Sequence, residues 1–370
     1  MSTLSESPTA ALGPAEPARR VPWWVEALGL LLAPGVVALV LRFGQVPPAS
    51  GDVGLRYVLA LVATVPAYLW LRRRSLAAGA LAVAVVLSSP VVHTAWDSDR
   101  SDRMALAFLL AGLPLLGFWT TGVRRLLMRG LAGVFLGLAA HAEPTAAPLV
   151  VGALVALAAS AYSRHTGIRR ARVRRVSVEL VAVIGGLVLT TLLLDGRPDT
   201  LAPAFDQVRY PKDGRPWSPS ATSLLVPPAV VLAWAWLCRR RRWLLGEWPR
   251  RGDAVVVLGS GLGYLAFLAV RAADGSTSMD AFALSLLWAG TCLTTALLLS
   301  TLSSSWWPVA AVLGLGALQV RIGALRFELL PGGLALALVV VVAAAVMGSP
   351  RRRSMPMLVV TIGLALLTTG

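Results

Sequence analysis

The chain has 370 residues, of which 56% are hydrophobic and only 14% are charged, and its formal net charge is +16. Soluble domains carry about 25% charged residues, so this composition excludes an ordinary soluble protein. Apolar runs of roughly 20 residues recur along the chain, and such runs cross a bilayer as helices because a helix satisfies its own backbone. The sequence therefore predicts an all-α polytopic membrane protein.

Taken in chain order, the apolar runs predict about thirteen transmembrane helices. They lie at residues 25–43, 55–71, 76–92, 104–121, 130–142, 145–162, 176–194, 222–238, 254–270, 280–300, 306–320, 331–348 and 356–369. Residues 1–24 are polar and predict a disordered cytoplasmic tail, followed by a single multi-pass domain over 25–370. No small-residue cleavage site follows the first apolar run, which favours a retained helix over a signal peptide.

The basic residues explain the net charge and predict the orientation. They concentrate at residues 72–74, 124–129, 164–175, 239–251 and 351–353, in loops that thirteen alternating spans place on the side of the N-terminus. Arginine-rich loops remain in the cytoplasm, so the N-terminus is predicted inside and the C-terminus outside. The charge therefore reflects topology rather than nucleic-acid binding, and these clusters also suit anionic lipid head groups.

The loops on the outer side carry most of the acidic residues, which insertion does not explain. The first outer loop contains Asp52 shortly before Tyr57, and the second reads "HTAWDSDRSDR" over residues 93–103. His141 and Glu143 occupy a tight turn between two spans, close to membrane depth, where ionisable side chains are costly unless they pair or line a polar cavity. The longest outer loop covers residues 195–222. These loops are the predicted site, although the need of short loops for solvated polar residues is the favoured explanation of any single acid among them.

Several function classes are disfavoured by what the sequence lacks. The span centres carry almost no ionisable residues, whereas ion-driven carriers and pumps place such residues inside their helices. The chain has no phosphate-binding loop, no H-E-x-x-H and no G-x-S-x-G motif. Asp97 and Asp99 form a "DSD" of the kind that holds Mg²⁺ or Mn²⁺ against phosphates, although pairing with neighbouring arginines is the favoured use of these charges.

Four stretches in the order of the chain resemble the C-type (GT-C) membrane glycosyltransferases, in particular the bacterial polyprenyl-phosphate-mannose mannosyltransferases. They are "GDVGLRY", "SPVVHTAWDSDRSDRMALAFLLAGL", "GLAAHAEPTAAPLV" and "KDGRPWSPSATSLL", within about residues 45–225. Glu143 stands where the family usually has lysine, and the first loop has a single acid rather than a pair. The resemblance implies inverting transfer of a sugar, most simply mannose, from a polyprenyl-phosphate donor to a lipid or glycan acceptor on the outer face.

The resemblance also assigns roles to residues. Asp52 would be the catalytic base, because transfer from a lipid phosphate needs a carboxylate to take the acceptor proton and cations to hold the phosphate. Guanidinium groups suit phosphate oxygens, and the candidates for phosphate binding are Arg209, Lys212, Arg215, Arg321 and Arg326. The candidates for binding the sugar and acceptor are Tyr57, His93, Trp96, Asp97, Asp99, Asp102, His141, Glu143 and Trp217.

No cofactor is required by this interpretation, and a divalent metal, Mg²⁺ or Mn²⁺, stays open. The composition, rich in Ala, Gly and Arg with Lys212 as the single lysine, indicates a GC-rich bacterium, with an actinobacterial plasma membrane as the expected location. Two other hypotheses remain. One is a lipid carrier or flippase, which requires a polar groove through the spans. The other is a non-catalytic membrane subunit of a cell-envelope assembly, which would tolerate loss of Asp52.

Overall fold

The computed structural model describes residues 22–42, 53–88, 100–118, 122–143, 146–163, 169–195, 231–232, 234–235, 251–273, 281–302, 306, 309 and 312–313. This part of the chain contains nine long helices. They are α1 (Trp23–Arg42), α2 (Val53–Arg72), α3 (Leu76–Ser88), α4 (Arg100–Gly117), α5 (Gly122–Ala142), α6 (Ala147–Ser163), α7 (Arg169–Asp195), α8 (Arg251–Ala273) and α9 (Ala281–Leu302).

The prediction of an all-α protein is confirmed for the described residues. Within the described ranges, three helices are long and apolar enough to cross a membrane by length and composition, at Gly54–Arg72, Val173–Leu194 and Gly252–Ala269. Shorter apolar helical segments lie at Trp23–Val36, Leu76–Leu87, Arg103–Gly117, Ala147–Tyr162 and Ala289–Ser300. The predicted spans at 222–238, 306–320, 331–348 and 356–369 fall wholly or mostly outside the described residues. The count of thirteen and the orientation remain predictions.

Helix α4 is the centre of the described bundle. It packs against α2, α5, α8 and α9, and nearly every side chain from Arg103 to Gly117 is buried. Its sequence is apolar on all sides after the first turn, as expected of a helix enclosed by others. Around it, α2 packs against α3, α5 against α7, and α6 against α8.

Glycines permit the closest of these helix contacts. A Cβ atom on Gly133 of α5 would collide with the backbone of Val183 in α7. A Cβ atom on Gly152 of α6 would likewise collide with the backbone of Gly259 and Gly263 in α8. Close backbone approach at small residues is the usual way in which helices associate within a bilayer, where the hydrophobic effect does not drive them together.

Two of the basic clusters were wrongly predicted to lie in loops. Arg124, Arg125 and Arg129 belong to the first two turns of α5, and Arg174 and Arg175 belong to α7, which begins at Arg169. The polar first turns of these helices continue the apolar spans without a break, because arginine is itself a good helix former. A hydropathy pattern marks where the apolar stretch begins, and the helix begins earlier.

Candidate functional site

The charged residues of the described helices gather at the two ends of the bundle. The inner end, which the sequence predicts to face the cytoplasm, comprises the beginnings of α1, α5, α7 and α8 and the last turns of α2 and α4. The outer end comprises the beginnings of α2, α4 and α6 and the last turn of α5. Contacts between the helices confirm that the inner-end segments lie together.

At the inner end, Glu26 of α1 is held by α2. The Tyr68 hydroxyl donates to Glu26 Oε2 at 2.8 Å, and Arg72 Nε donates to the same oxygen at 2.9 Å. The second carboxylate oxygen accepts from Arg72 Nη2, which makes the ion pair bidentate. Bidentate pairs are the strong form of the arginine–carboxylate contact, so this cluster fixes α1 against α2.

Two further clusters join other helices at the same end. Arg74, in the turn between α2 and α3, pairs with the buried Asp253 at the beginning of α8. Glu179 of α7 is also buried, and its carboxylate lies 3.5 Å from Arg125 Nη1 and 3.5 Å from Arg129 Nε. Arg129 also donates to the carbonyl of Leu116 near the end of α4. Together with the Glu26 cluster, these links involve six helices and one turn at the inner end.

The outer end brings together three of the sequence-predicted regions. Helix α4 packs against both α2 and α5. Gly117 at the end of α4 lies against Trp70 near the end of α2, so these two helices run in the same direction. Leu116 meets Arg129 and Gly112 meets Leu136, so α5 runs in the opposite direction to α4. The residues just after Asp52, the first turn of α4 with Asp102, and the turn holding His141 and Glu143 therefore share one end of the bundle. Helix α4 begins at Arg100, so Asp102 lies in its first turn, and the prediction that the second outer loop extends to Arg103 was wrong.

The turn between α5 and α6 has a defined backbone. The N–H of Glu143 donates to the Ala139 carbonyl at 2.9 Å, and the Glu143 carbonyl accepts from the N–H of Ala146 at 3.0 Å. His141 is exposed in the last turn of α5, and the side chain of Glu143 is half-buried. The connection is thus a tight turn, as the sequence predicted, and it holds both ionisable side chains at the outer end.

Tyr57 has a specific partner in the structure. Its hydroxyl donates to the backbone carbonyl of Leu31 in α1. Leu31 lies three residues before Pro34, and a proline within a helix removes a backbone donor and disturbs the preceding turn. The phenol thus joins the beginning of α2 to this turn of α1, while the ring of Tyr57 remains partly exposed.

Most of the predicted site residues lie outside the described part of the chain. These are Asp52, His93, Trp96, Asp97, Asp99, Arg209, Lys212, Arg215, Trp217, Arg321 and Arg326. Their roles remain predictions. Among the described residues there is no group of three or more His, Cys, Asp or Glu that would hold a metal ion, and Asp97 and Asp99 are not among those residues.

Arg103, the last residue of the charged stretch at 93–103, was not assigned a role from the sequence. It lies in the first turn of α4, one residue after Asp102, and only 8% of its surface is exposed. A buried guanidinium at the outer end, next to the apolar core, is costly unless anionic or hydrogen-bonding groups surround it. The signal in the sequence was its place directly before an unbroken apolar run, which puts it at membrane depth.

Comparison with known proteins finds only distant similarity. No protein-family profile matches the chain, and no curated protein sequence matches it. Among solved structures it is similar to ArnT from Cupriavidus metallidurans, in the apo state and bound to undecaprenyl phosphate. Each match has 17% sequence identity, with TM-scores of 0.42 and 0.43. The match covers 90% of this chain and 64% of ArnT, so the chain spans less than two thirds of the protein that it matches.

Similarity at this level assigns neither a family nor an activity. The composition, the helices and the two charged ends together define the chain as a helical membrane protein.

Proposed function

We propose that this protein is an inverting membrane glycosyltransferase that takes a sugar from a polyprenyl-phosphate carrier on the outer face of a bacterial plasma membrane. The observation that carries the proposal is the convergence of three family-like stretches on one end of the bundle. The stretch after Asp52, the beginning of α4 at Asp102, and the His141–Glu143 turn come from different parts of the sequence, and packing of α2, α4 and α5 joins them.

The opposite end supports an enzyme over a carrier. Glu26, Glu179 and Asp253 each bind arginine across a helix contact there. The buried ionisable residues of the described helices are Arg103, Arg129, Glu179 and Asp253, and all lie outside the predicted spans or in their first turn. A carrier requires polar groups through the middle of the bundle. The described helices instead have a middle filled with Leu, Ala and Val, together with hydroxyls such as Thr294, which donates to a carbonyl in its own helix.

The chemistry then needs few groups. The acceptor hydroxyl oxygen attacks the anomeric carbon on the face opposite the phosphate, and its proton passes to the Asp52 carboxylate. The bond between the anomeric carbon and the phosphate oxygen breaks, and its electron pair leaves with the polyprenyl phosphate. Arg209, Lys212, Arg215, Arg321 and Arg326 stabilise the negative charge that develops on that phosphate.

The remaining outer-end residues orient the sugar and the acceptor. His93, Trp96, Asp97, Asp99, Asp102, His141, Glu143 and Trp217 supply hydrogen bonds and aromatic faces in this proposal. Since the Tyr57 hydroxyl donates to Leu31, the ring of Tyr57 rather than its hydroxyl is assigned to the substrate. Mannose is the proposed sugar, and a lipid or glycan of the cell envelope is the proposed acceptor. No cofactor is proposed for the transfer, and Mg²⁺ or Mn²⁺ at Asp97 and Asp99 is the alternative.

The proposal is tested by a transfer assay with purified protein in lipid. The donor is labelled polyprenyl-phosphate mannose, with other hexose and pentose forms in parallel, and the acceptor is an envelope-lipid extract. Asp52→Asn is expected to abolish transfer of label while the protein folds normally. Asp274→Asn, which removes an acid from a different predicted outer loop, serves as the matched control and is expected to retain transfer. Absence of transfer from every donor, or equal activity in both variants, contradicts the proposal.

A further inference from the structure

The inner end contains two regions rich in arginine, and they differ in how many acidic residues accompany the arginines. The first region is Arg72 to Arg74. Two of its arginines are paired with acids, Arg72 with Glu26 and Arg74 with Asp253. The Arg73 guanidinium lies 4.0 Å from the centre of the Phe118 ring. By contrast, residues 122–131 of α5 and 173–181 of α7 contain five arginines and a single acid, Glu179. This second region therefore carries a net charge of about +4.

Helices α5 and α7 pack directly against each other, which places their arginine-rich turns side by side. The 3.5 Å contact between Arg125 and Glu179 joins the first turns of α5 to α7. Arg124 is adjacent to Arg125, and Arg175 lies one helical turn before Glu179, on the same face of α7. Arg124, Arg174 and Arg175 are exposed, unlike Arg129, which is enclosed between the helices.

Each helix carries an exposed apolar stripe that begins at an exposed arginine. On α5, Arg124 is followed at helical spacing by Leu127 and Leu131, which are 65% and 43% exposed. On α7, Arg174 is followed by Val178 and Val181, which are 45% and 67% exposed. In both cases the cation lies toward the inner end of the bundle, and the apolar stripe runs from it toward the middle of the helix.

We infer that the α5–α7 surface, defined by Arg124, Arg174, Arg175, Leu127 and Val178, binds an anionic phospholipid of the inner leaflet. The guanidinium groups take the phosphate of the head group, and the apolar stripes contact the acyl chains. Charge complementarity selects an anionic lipid over a zwitterionic one, since about one kcal/mol, or roughly fivefold in affinity, is expected for each basic residue near such a surface. The stripes favour a lipid over a soluble phosphate, because a free anion has no acyl chain that could contact the exposed leucine and valine side chains.

The test measures lipid binding to the purified full-length protein by native mass spectrometry in a neutral detergent. Phosphatidylglycerol is the probe, phosphatidylcholine the zwitterionic comparison, and sn-glycerol 3-phosphate the soluble competitor. We expect Arg124→Gln with Arg174→Gln to raise the Kd for phosphatidylglycerol by roughly tenfold or more. Arg351→Gln with Arg352→Gln removes the same charge from another predicted cytoplasmic cluster and is expected to change the Kd less than about twofold.

Three outcomes overturn the inference: equal effects of the two double variants, equal affinity for the two lipids, or displacement by sn-glycerol 3-phosphate at concentrations similar to those of the lipid. Arg124→Lys with Arg174→Lys keeps the charge and is expected to keep binding, so a fold defect in the glutamine variant remains distinguishable from a lost contact. The measurement requires no glycosyl transfer. Its result is therefore independent of the proposed enzymatic function.

Discussion

Arg74 and Asp253 form an ion pair although 179 positions separate them in the sequence. The pair joins the turn between α2 and α3 to the beginning of α8, and Asp253 is buried. Removal of Arg74 leaves a buried carboxylate without its cation, which costs several kcal/mol for a fully buried pair and less here because Arg74 is partly exposed. We expect Arg74→Ala to lower the free energy of unfolding by about 2 kcal/mol.

The measurement is reversible unfolding of the purified protein, with Arg124→Ala as the exposed control. The charge-reversed pair, Arg74→Asp with Asp253→Arg, is expected to recover part of the loss, since the two side chains still meet. A double-mutant cycle with no coupling between the two positions contradicts the importance of this ion pair.

The contact between α5 and α7 depends on Gly133. A methyl group at this position collides with the Val183 backbone, so Gly133→Ala is expected to destabilise the protein by roughly 2 kcal/mol or more. Gly185 of α7 has open space around it, and Gly185→Ala is expected to be neutral or to stabilise by up to about 1 kcal/mol through higher helix propensity. The midpoints of unfolding of the two variants, each compared with the unmodified protein, check both expectations. Equal effects of the two substitutions would argue against the close helix contact.

Two variants of Tyr57 distinguish the role of its hydroxyl from the role of its ring. Tyr57→Phe removes the hydrogen bond to Leu31, so we expect the free energy of unfolding to fall by about 1 kcal/mol while transfer activity persists. Tyr57→Ala also removes the ring, and we expect it to raise the KM for the donor. The assay compares KM and kcat of both variants in the same lipid. Loss of transfer in Tyr57→Phe would assign the hydroxyl itself to the substrate.

The two ends of the bundle are expected to respond differently to loss of an acid. Glu143→Gln, at the outer end, should lower kcat/KM for sugar transfer about tenfold or more, because its hydrogen bonds to the substrate are expected to strengthen in the transition state. Glu26→Gln, at the inner end, should lower the free energy of unfolding and leave kcat/KM nearly unchanged, since its partners Tyr68 and Arg72 are structural. The opposite pattern would place the site at the inner end.

The predicted orientation is open to a direct labelling experiment. In a background with Cys238 and Cys292 replaced by Ser, single cysteines are introduced as Ser98→Cys and Thr166→Cys. An impermeant thiol reagent added to intact cells is expected to label the first variant only, because the two positions fall in loops on opposite sides of the predicted topology. Labelling of Thr166→Cys without permeabilisation would reverse the assignment of the two faces.

The sequence by itself determined the class of protein and, within the described part of the chain, the approximate positions of the helices. A long apolar run crosses a bilayer as a helix, because the helix pairs its own backbone N–H and C=O groups where water is absent. It also indicated that Asp102, His141 and Glu143 lie at ends of helices, since ionisable residues flank apolar runs. Local patterns of this kind can be read from neighbouring residues alone.

Only the tertiary structure decided which residues meet. Glu26 with Arg72, Arg74 with Asp253, and Glu179 with Arg129 are contacts between helices that are distant in the sequence. Helix packing is set by small residues such as Gly133 and by the shape of facing side chains, and neither leaves a mark in a hydropathy pattern. The structural role of these acids and the position of α4 at the centre therefore emerged only when the helices were packed, because packing free energies depend on pairs of surfaces rather than on single segments.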